Sequence, residues 1–209
     1  MKELREDGHE YHHDDYIKSD LTFDEDGFIY ESTKESEVMG KWEGPLMERC
    51  AEIVNHNNGD ILEIGFGMGI FATKAYSLGL KSYTIVEIHP QVLERLYEWA
   101  KDKPEVIIIE GDWIENLDKI KSRKYDGIYF DTHMDDGRPK FRKLVVDECI
   151  KEDGVFGYYT MSDYDTYKYG EDLQQESVTL YPGKNAWFQN ATEITLLASF
   201  VKHPLKLNI

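Results

Sequence analysis

The sequence predicts an α/β fold: a mostly parallel, doubly wound sheet with helices on both faces and an antiparallel strand near its C-terminal end. Three observations carry this. The apolar run Asp60-Ile61-Leu62-Glu63-Ile64 leads directly into Gly65-Phe66-Gly67-Met68-Gly69-Ile70, a glycine loop that opens a helix. Downstream, short β-branched and aromatic runs alternate with stretches of helical period, the pattern of stacked βα units. Finally, several of these runs end in an acid, notably Glu87 and Asp131, at the edge where an open α/β sheet holds its ligands.

Composition bounds the rest. The chain has 209 residues, 41% of them apolar and 13% aromatic, enough for one globular domain with a sizeable core. Its net charge of −17 disfavours a nucleic-acid surface, which needs clustered Lys and Arg, and favours a small cationic ligand. No apolar run reaches the length of a membrane span, and the first seven residues are too charged for a secretory signal. A soluble cytoplasmic monomer or homodimer is expected. Cys50 and Cys149 each adjoin apolar helical sequence and read as reduced, buried thiols.

Residues 1–37 hold 13 acids against 4 bases and form an acidic N-terminal segment, expected to be partly flexible and a possible cover for a cofactor; the main domain is 38–209. Its histidines His9, His12 and His13 lack metal-ligand spacing and read as a solvated tail. Leu21-Thr22-Phe23 and Phe28-Ile29-Tyr30, separated by Asp24-Glu25-Asp26-Gly27, predict a short hairpin whose aromatics lean toward the cleft.

From Ser36 the positions Val38, Met39, Trp42, Leu46, Met47, Cys50 and Ile53 follow a helical spacing, interrupted at Pro45, which kinks the helix or starts a new one. After the glycine loop, a helix runs from Ile70 to Ser77 and stops at Gly79. Ser82 to Glu87 is the next strand, Pro90 to Ala100 a helix, and Val106 to Glu110 a third strand. Tyr125 to Asp131 is a fourth. A helix through Phe141, Leu144, Val145, Val146 and Ile150 then leads by Glu152-Asp153-Gly154 into a fifth, Val155 to Met161. Two last strands, Ser177 to Tyr181 and Glu193 to Val201, flank Pro182-Gly183-Lys184-Asn185.

The loop spacing separates two cofactor classes. A dinucleotide fingerprint places its third glycine where this chain has Ile70, and Glu63 ahead of the loop repels a pyrophosphate but attracts a cation. At the ends of the later strands, Glu87 is placed to accept ribose hydroxyls. Asp112 and Trp113 are placed to meet an adenine by its amino group and its ring.

E-x-G-x-G-x-G resembles the loop of class I S-adenosylmethionine-dependent methyltransferases. Three motifs make the resemblance narrower: Val38-Met39-Gly40-Lys41-Trp42-Glu43-Gly44-Pro45-Leu46-Met47, Leu62-Glu63-Ile64-Gly65-Phe66-Gly67-Met68, and Tyr125-Asp126-Gly127-Ile128-Tyr129-Phe130-Asp131-Thr132. In this order they are similar to V-M-x-x-W-E-T-P-x-M, L-E-V-G-F-G-M and F-D-G-I-x-Y-D-T of the guanidinoacetate N-methyltransferase family and its arginine N-methyltransferase relatives. The resemblance covers about residues 38–162 and implies the Rossmann-like class I methyltransferase fold.

It further implies S-adenosyl-L-methionine as cofactor, with Met39, Met47, Glu63, Gly65, Phe66, Gly67, Met68, Gly69, Ile70, Glu87, Ile88, Asp112, Trp113 and Asp131 around it. Glu43 and Asp131 would clamp a guanidinium, whose planar fork of N–H donors suits two carboxylates, with Asp131 as general base. Met161 and Ser162 would complete the substrate side, and no metal is required. Departures from the pattern are Gly44, His133 and Asp163; the last would repel a substrate carboxylate. The implied activity is N-methylation of a small guanidino or cationic amine compound. Alternatives are methylation of protein arginine or another acceptor, and, on a related fold, aminopropyl transfer.

Overall fold

The computed structural model describes residues 16–24, 29–31, 36–133, 137–160, 173–181 and 194–202. Ten strands occur among them: β1 (Leu21–Phe23), β2 (Ile29–Glu31), β3 (Ser36–Met39), β4 (Asp60–Ile64), β5 (Ser82–Glu87), β6 (Val106–Glu110), β7 (Tyr125–Phe130), β8 (Ile150–Thr160), β9 (Leu173–Leu180) and β10 (Ile194–Lys202). The helices are α1 (Gly44–Val54), α2 (Ile70–Ser77), α3 (Pro90–Ala100), α4 (Leu117–Lys121), α5 (Arg138–Phe141) and α6 (Asp147–Cys149). A π-helical stretch, Arg142–Val146, joins α5 to α6, and a 3-10 turn, Lys41–Glu43, precedes α1.

Seven strands form one sheet in the order β6-β5-β4-β7-β8-β10-β9. Pairs among β6, β5, β4, β7 and β8 are parallel, and β10 runs antiparallel to both its neighbours. The chain therefore starts the sheet at its middle with β4, builds outward to β6, and then returns to the other side at β7. That reversal opens a crevice between the carboxyl ends of β4, β5 and β7. The expected mostly parallel sheet with an antiparallel C-terminal strand is what forms.

Alternation along the strands fills both faces. Ile61, Tyr83, Ile85 and Tyr129 join Leu46, Met47, Cys50 and Val54 of α1 and Phe71, Ala72 and Ala75 of α2 in one core. Leu62, Ile64, Val86, Ile128 and Phe130 turn to the other face, against Trp113, Ile120, Phe141 and Val145. Gly127 and Gly157 admit α1 closely, since a Cβ on Gly127 would lie 2.3 Å from the Val54 carbonyl oxygen. At the end of α1, the buried Asn55 amide donates to the carbonyls of Ala75 and Gly79, 2.9 Å each, tying α1 to the end of α2.

The predicted hairpin forms, with Leu21 opposite Glu31 and Phe23 opposite Ile29, and β3 adds a third antiparallel strand to it. The turn residues 25–28 lie outside the described residues. Gln91 of α3 fastens β1: its side chain accepts from Leu21 N (2.7 Å) and donates to Leu21 O (3.2 Å), replacing a strand partner. Phe23 lies beneath the Arg95 guanidinium, 4.3 Å from the ring centre, on α3 rather than over the cleft.

Three elements depart from expectation. Val38 and Met39 are in a strand, because Gly40 ends that segment in an extended conformation and the helix starts only at Gly44-Pro45, where the missing proline N–H costs nothing. Strand β8 begins at Ile150 and runs through Glu152-Asp153-Gly154; its pairing with β7 slips between Tyr125 and Gly127, which absorbs the polar residues. Helix α4 is additional. Both cysteines are buried free thiols, as the sequence suggests.

Candidate active site

The glycine loop lies at the carboxyl end of β4, where the sheet reverses. Gly65, Gly67 and Gly69 have φ of +88°, +53° and +70°, a region that side chains with a Cβ avoid. Gly69 caps α2, its N–H bonding to Phe66 O at 2.8 Å and its carbonyl accepting from Thr73 N at 2.9 Å. At Gly65 a Cβ would meet the Asp131 carbonyl oxygen at 2.0 Å, and at Gly67 the Met39 sulfur at 2.6 Å. Met39 Sδ in turn accepts from Met68 N at 3.3 Å. The loop thus offers bare backbone, with a thioether beside it.

Glu87, at the end of β5, is 5% exposed. Its Oε2 accepts from Phe66 N (2.8 Å) and its Oε1 from Ile88 N and His89 N (2.7 Å each). Burial raises its pKa and the three amides pull it back, leaving it above the ordinary carboxylate value. Sequence reasoning placed Glu87 at the cleft edge; that it also ties the glycine loop to β5 was not anticipated.

Glu63 is inside the sheet, 1% exposed, and accepts a hydrogen bond from the Tyr83 hydroxyl. Burial holds its carboxyl well above the ordinary value, with Asp131 and Glu87 adding repulsion and Tyr83 opposing it. Asp112 Oδ1 accepts from Ile114 N at 2.9 Å, capping the turn that follows β6. Trp113 is 4% exposed and packs edgewise on Phe130 and Phe141, centroids 6.1 and 5.1 Å apart, so its indole is in the core rather than free to stack on an adenine. Ile88, half-buried, packs against the α1 and α2 core.

The two predicted clamp acids converge from different elements. Asp131 follows β7, its N–H bonding to Ile64 O at 3.0 Å, which fixes its backbone beside the glycine loop. Burial raises its pKa to about 6, against a hydrogen bond from Tyr129 and the positive charge of Arg138. Glu43 caps α1 and its Oε1 accepts from Gly40 N at 2.8 Å. Burial raises Glu43 to about 8, opposed by that Gly40 bond and reinforced by the charges of Asp131 and Glu37.

Sequence reasoning missed three neighbours of this pair. Glu37 of β3, 4% exposed, accepts from Trp42 Nε1 at 3.1 Å and adds negative charge next to Glu43. Arg138 opens α5 and stacks on Tyr158, 4.5 Å from the ring centre, and its positive charge acts on Asp131. Tyr129 stands two residues before Asp131, on the same face of β7; that i, i+2 relation was legible in the sequence.

Tyr16 spans the cleft's outer edge. Its ring lies 4.9 Å from His89 and 5.0 Å from His133, beyond the ends of β5 and β7. His133 is accordingly half-buried, rather than the exposed loop histidine its setting suggests. His89 Nδ1 accepts from Gln91 N, so its Nε2 carries the proton and donates to Ser19 O at 3.1 Å. Met161, Ser162, Asp163 and His9, His12 and His13 lie outside the described residues.

Residues 10–175 match the family model for guanidinoacetate N-methyltransferase. Protein arginine N-methyltransferase 2 of Candida glabrata is 33% identical over 173 residues, 74% of this chain and 41% of its own. The protein of the same name from Saccharomyces cerevisiae is 32% identical over 171 residues, 73% and 41%. The chain thus spans about two fifths of the length of these relatives. Among solved structures, spermidine synthase from Thermotoga maritima superposes with TM-score 0.61 at 15% identity, over 90% of this chain and 71% of that one. Precorrin-6y C5,15-methyltransferase from Geobacter metallireducens gives 0.59 at 15%, over 76% and 88%. These two share the fold.

The chain belongs to the guanidinoacetate N-methyltransferase family, which implies S-adenosylmethionine as its cofactor. The open glycine backbone, the thioether of Met39 and the buried acid at the end of β5 fit that cofactor.

Proposed function

We propose that, as a member of this family, the chain methylates a guanidinium nitrogen, and that the guanidinium is carried by an arginine of a protein substrate. The observation behind the guanidinium is the convergence of Glu43 and Asp131, two carboxyls raised to about 8 and about 6 by burial in a strongly acidic site. Two such groups are poorly placed for water and well placed for a delocalised cation that donates to both. The arginine reading is supported by the relatives, which carry the name protein arginine N-methyltransferase 2.

Gly65 to Ile70, with Met39 and Met47, would hold the methionine part of the cofactor. Glu87 and Ile88 would take the ribose side, and Asp112 the adenine edge above Trp113. Glu63, beneath the loop, braces that side of the site through the Tyr83 hydroxyl rather than by its charge. S-adenosylmethionine supplies an electrophilic methyl group on a sulfonium sulfur.

The chain's own residues do the rest. Glu43 and Asp131 orient the guanidinium in one plane, which fixes the direction of the attacking nitrogen. A protonated guanidinium has no free lone pair. Asp131 takes the proton from the reacting nitrogen and becomes neutral, while Glu43 keeps the charge that balances the remaining cation. Tyr16, packed between His89 and His133, limits water at the cleft edge.

A second reading, a free guanidino compound, is favoured by the description of the family model. Release of S-adenosylhomocysteine discriminates the two when arginine-containing peptides and proteins are run beside guanidinoacetate, arginine and agmatine. Turnover of polypeptides alone supports the first reading, and turnover of small guanidines alone the second. Tight cofactor binding with no turnover of either removes the guanidinium from the proposal.

A further inference from the structure

The Tyr129 hydroxyl reaches, among its partners, two acceptors of unequal strength. It is 3.5 Å from Asp131 Oδ2 and 3.5 Å from Met47 Sδ. Its ring is 1% exposed and stacked on Phe71 of α2, centroids 4.1 Å apart and planes 5° from parallel, so the hydroxyl oxygen is held in place while its hydrogen can rotate. A phenol has one hydrogen to donate. It can serve the carboxylate or the thioether, not both.

Which acceptor wins depends on charge. An ionised carboxylate is a strong acceptor and a thioether a weak one, so the hydrogen points to Asp131 while that group is charged. Once Asp131 is protonated the preference falls away, and the Met47 thioether can accept the hydroxyl hydrogen instead. We propose that Tyr129 is a positioning residue for the base, a hydroxyl that turns from Asp131 to Met47 as Asp131 takes its proton and that sets the pH at which Asp131 can do so. The Tyr129 O–H bond stays intact throughout; only its direction changes, and the proton on Asp131 comes from the substrate nitrogen. This rests on Asp131 being the base.

Other groups bear on Asp131 from each element packed around it. Glu43 of the 3-10 turn and Glu63 of β4 interact with it by repulsion, and Arg138 of α5 by attraction. The Cys50 thiol of α1 also reaches Tyr129; burial pushes it up to about 12, so it stays protonated and neutral as Asp131 titrates. Tyr129 thus works with Arg138 against burial to keep the base charged near neutral pH.

Tyr129→Phe keeps the ring and its stack and deletes only the hydroxyl. The acid limb of kcat/KM should move up by roughly one pH unit, with kcat at neutral pH lowered about 3- to 10-fold and recovery at higher pH. A limb that stays in place, or a loss equal at every pH, overturns the proposal. Independently of turnover, the Asp131 carboxyl can be followed by infrared difference titration of the cofactor-free protein, assigned by its disappearance in Asp131→Asn. Its midpoint should rise in Tyr129→Phe and fall in Met47→Leu, which removes the acceptor used by the protonated state. Midpoints unchanged in both variants overturn the proposal. Full turnover in Asp131→Asn would instead remove the base assignment, a separate failure.

Discussion

A side chain at position 65 would place its first carbon 2.0 Å from the carbonyl oxygen of Asp131, so Gly65 and Asp131 are in backbone contact across the reversal of the sheet. The obstruction is main chain and cannot swing aside. Gly65→Ala should therefore combine a strained φ of +88° with a displaced Asp131 and destabilise the protein by more than about 2 kcal/mol. Gly67→Ala meets only the end of Met39, which can rotate, and should cost about 1 kcal/mol. Urea unfolding of both variants checks the order. Equal losses would contradict it.

Asp131 and Glu87, proposed as base and ribose-side acid, should separate in kinetics. Asp131→Asn keeps the backbone bond to Ile64 but cannot accept the proton, so kcat should fall by roughly 100- to 10,000-fold with cofactor affinity nearly unchanged. Glu87→Ala leaves the amides of Phe66, Ile88 and His89 without their acceptor, and should weaken S-adenosylhomocysteine binding at least about 10-fold. Titration calorimetry with S-adenosylhomocysteine separates the two effects.

Binding of a guanidinium should release protons. Before binding, Glu43 (about 8) is largely protonated at pH 7, and Asp131 (about 6) partly so. A cation between them stabilises both charged forms and lowers both values. Affinity should therefore rise with pH through the interval from about 6 to about 8 and level off above it. Calorimetry in buffers of different ionisation enthalpy should show proton release at pH 7, reduced in Glu43→Gln. Proton uptake would count against the clamp.

The same Glu43 shift carries a stability consequence in the free protein. Its folded value exceeds the ordinary 4.5, so the folded state holds the proton more tightly. That contribution is complete below about 4.5 and is lost as pH rises through about 8. Thermal melts should show Glu43→Gln gaining on the wild type across that window, with the difference flat above it.

At the opposite end of the sheet, Lys151 donates to Asp60 and Asp126, 2.6 Å each, joining the starts of β4, β7 and β8. Burial pushes Asp60 upward, but Lys151, Ser82 and Lys81 outweigh it and hold it near 2. This stability is present above the ordinary aspartate value near 4 and lost as pH falls through about 2. Lys151→Met should cost roughly 1–2 kcal/mol at pH 7, with the penalty shrinking on acidification. A pH-independent penalty would assign Lys151 a packing role instead.

Much of the molecule was legible because buried parallel strands are short apolar runs with clear ends. The bounds of β5 and β6, and of α2, coincide with those read from sequence. Misreadings fell where two signals overlap. Val38 and Met39 fit the helical spacing of Trp42, Leu46 and Met47, and only the pairing of β3 with β2 decides for a strand. Glu152-Asp153-Gly154 has turn composition, but a slip in register against β7 lets β8 run through it. In the site, the backbone motifs and Glu43 and Asp131 were recognisable as residue types at fixed spacing. Glu37, Arg138 and the Tyr83–Glu63 bond were not, since contacts between distant segments leave no spacing to read.

The insertion of β10 between β8 and β9 also has a bearing on biogenesis. A ribosome delivers β9 before the strand it pairs with, so Leu173–Leu180 waits until Ile194–Lys202 has emerged. Strands β4 to β7, which carry the glycine loop, Glu87 and Asp131, can assemble earlier on the nascent chain. The half of the sheet that carries the glycine loop is therefore complete before the flank beside β8 is closed, and Phe200 and Val201 of β10 join the core only after it.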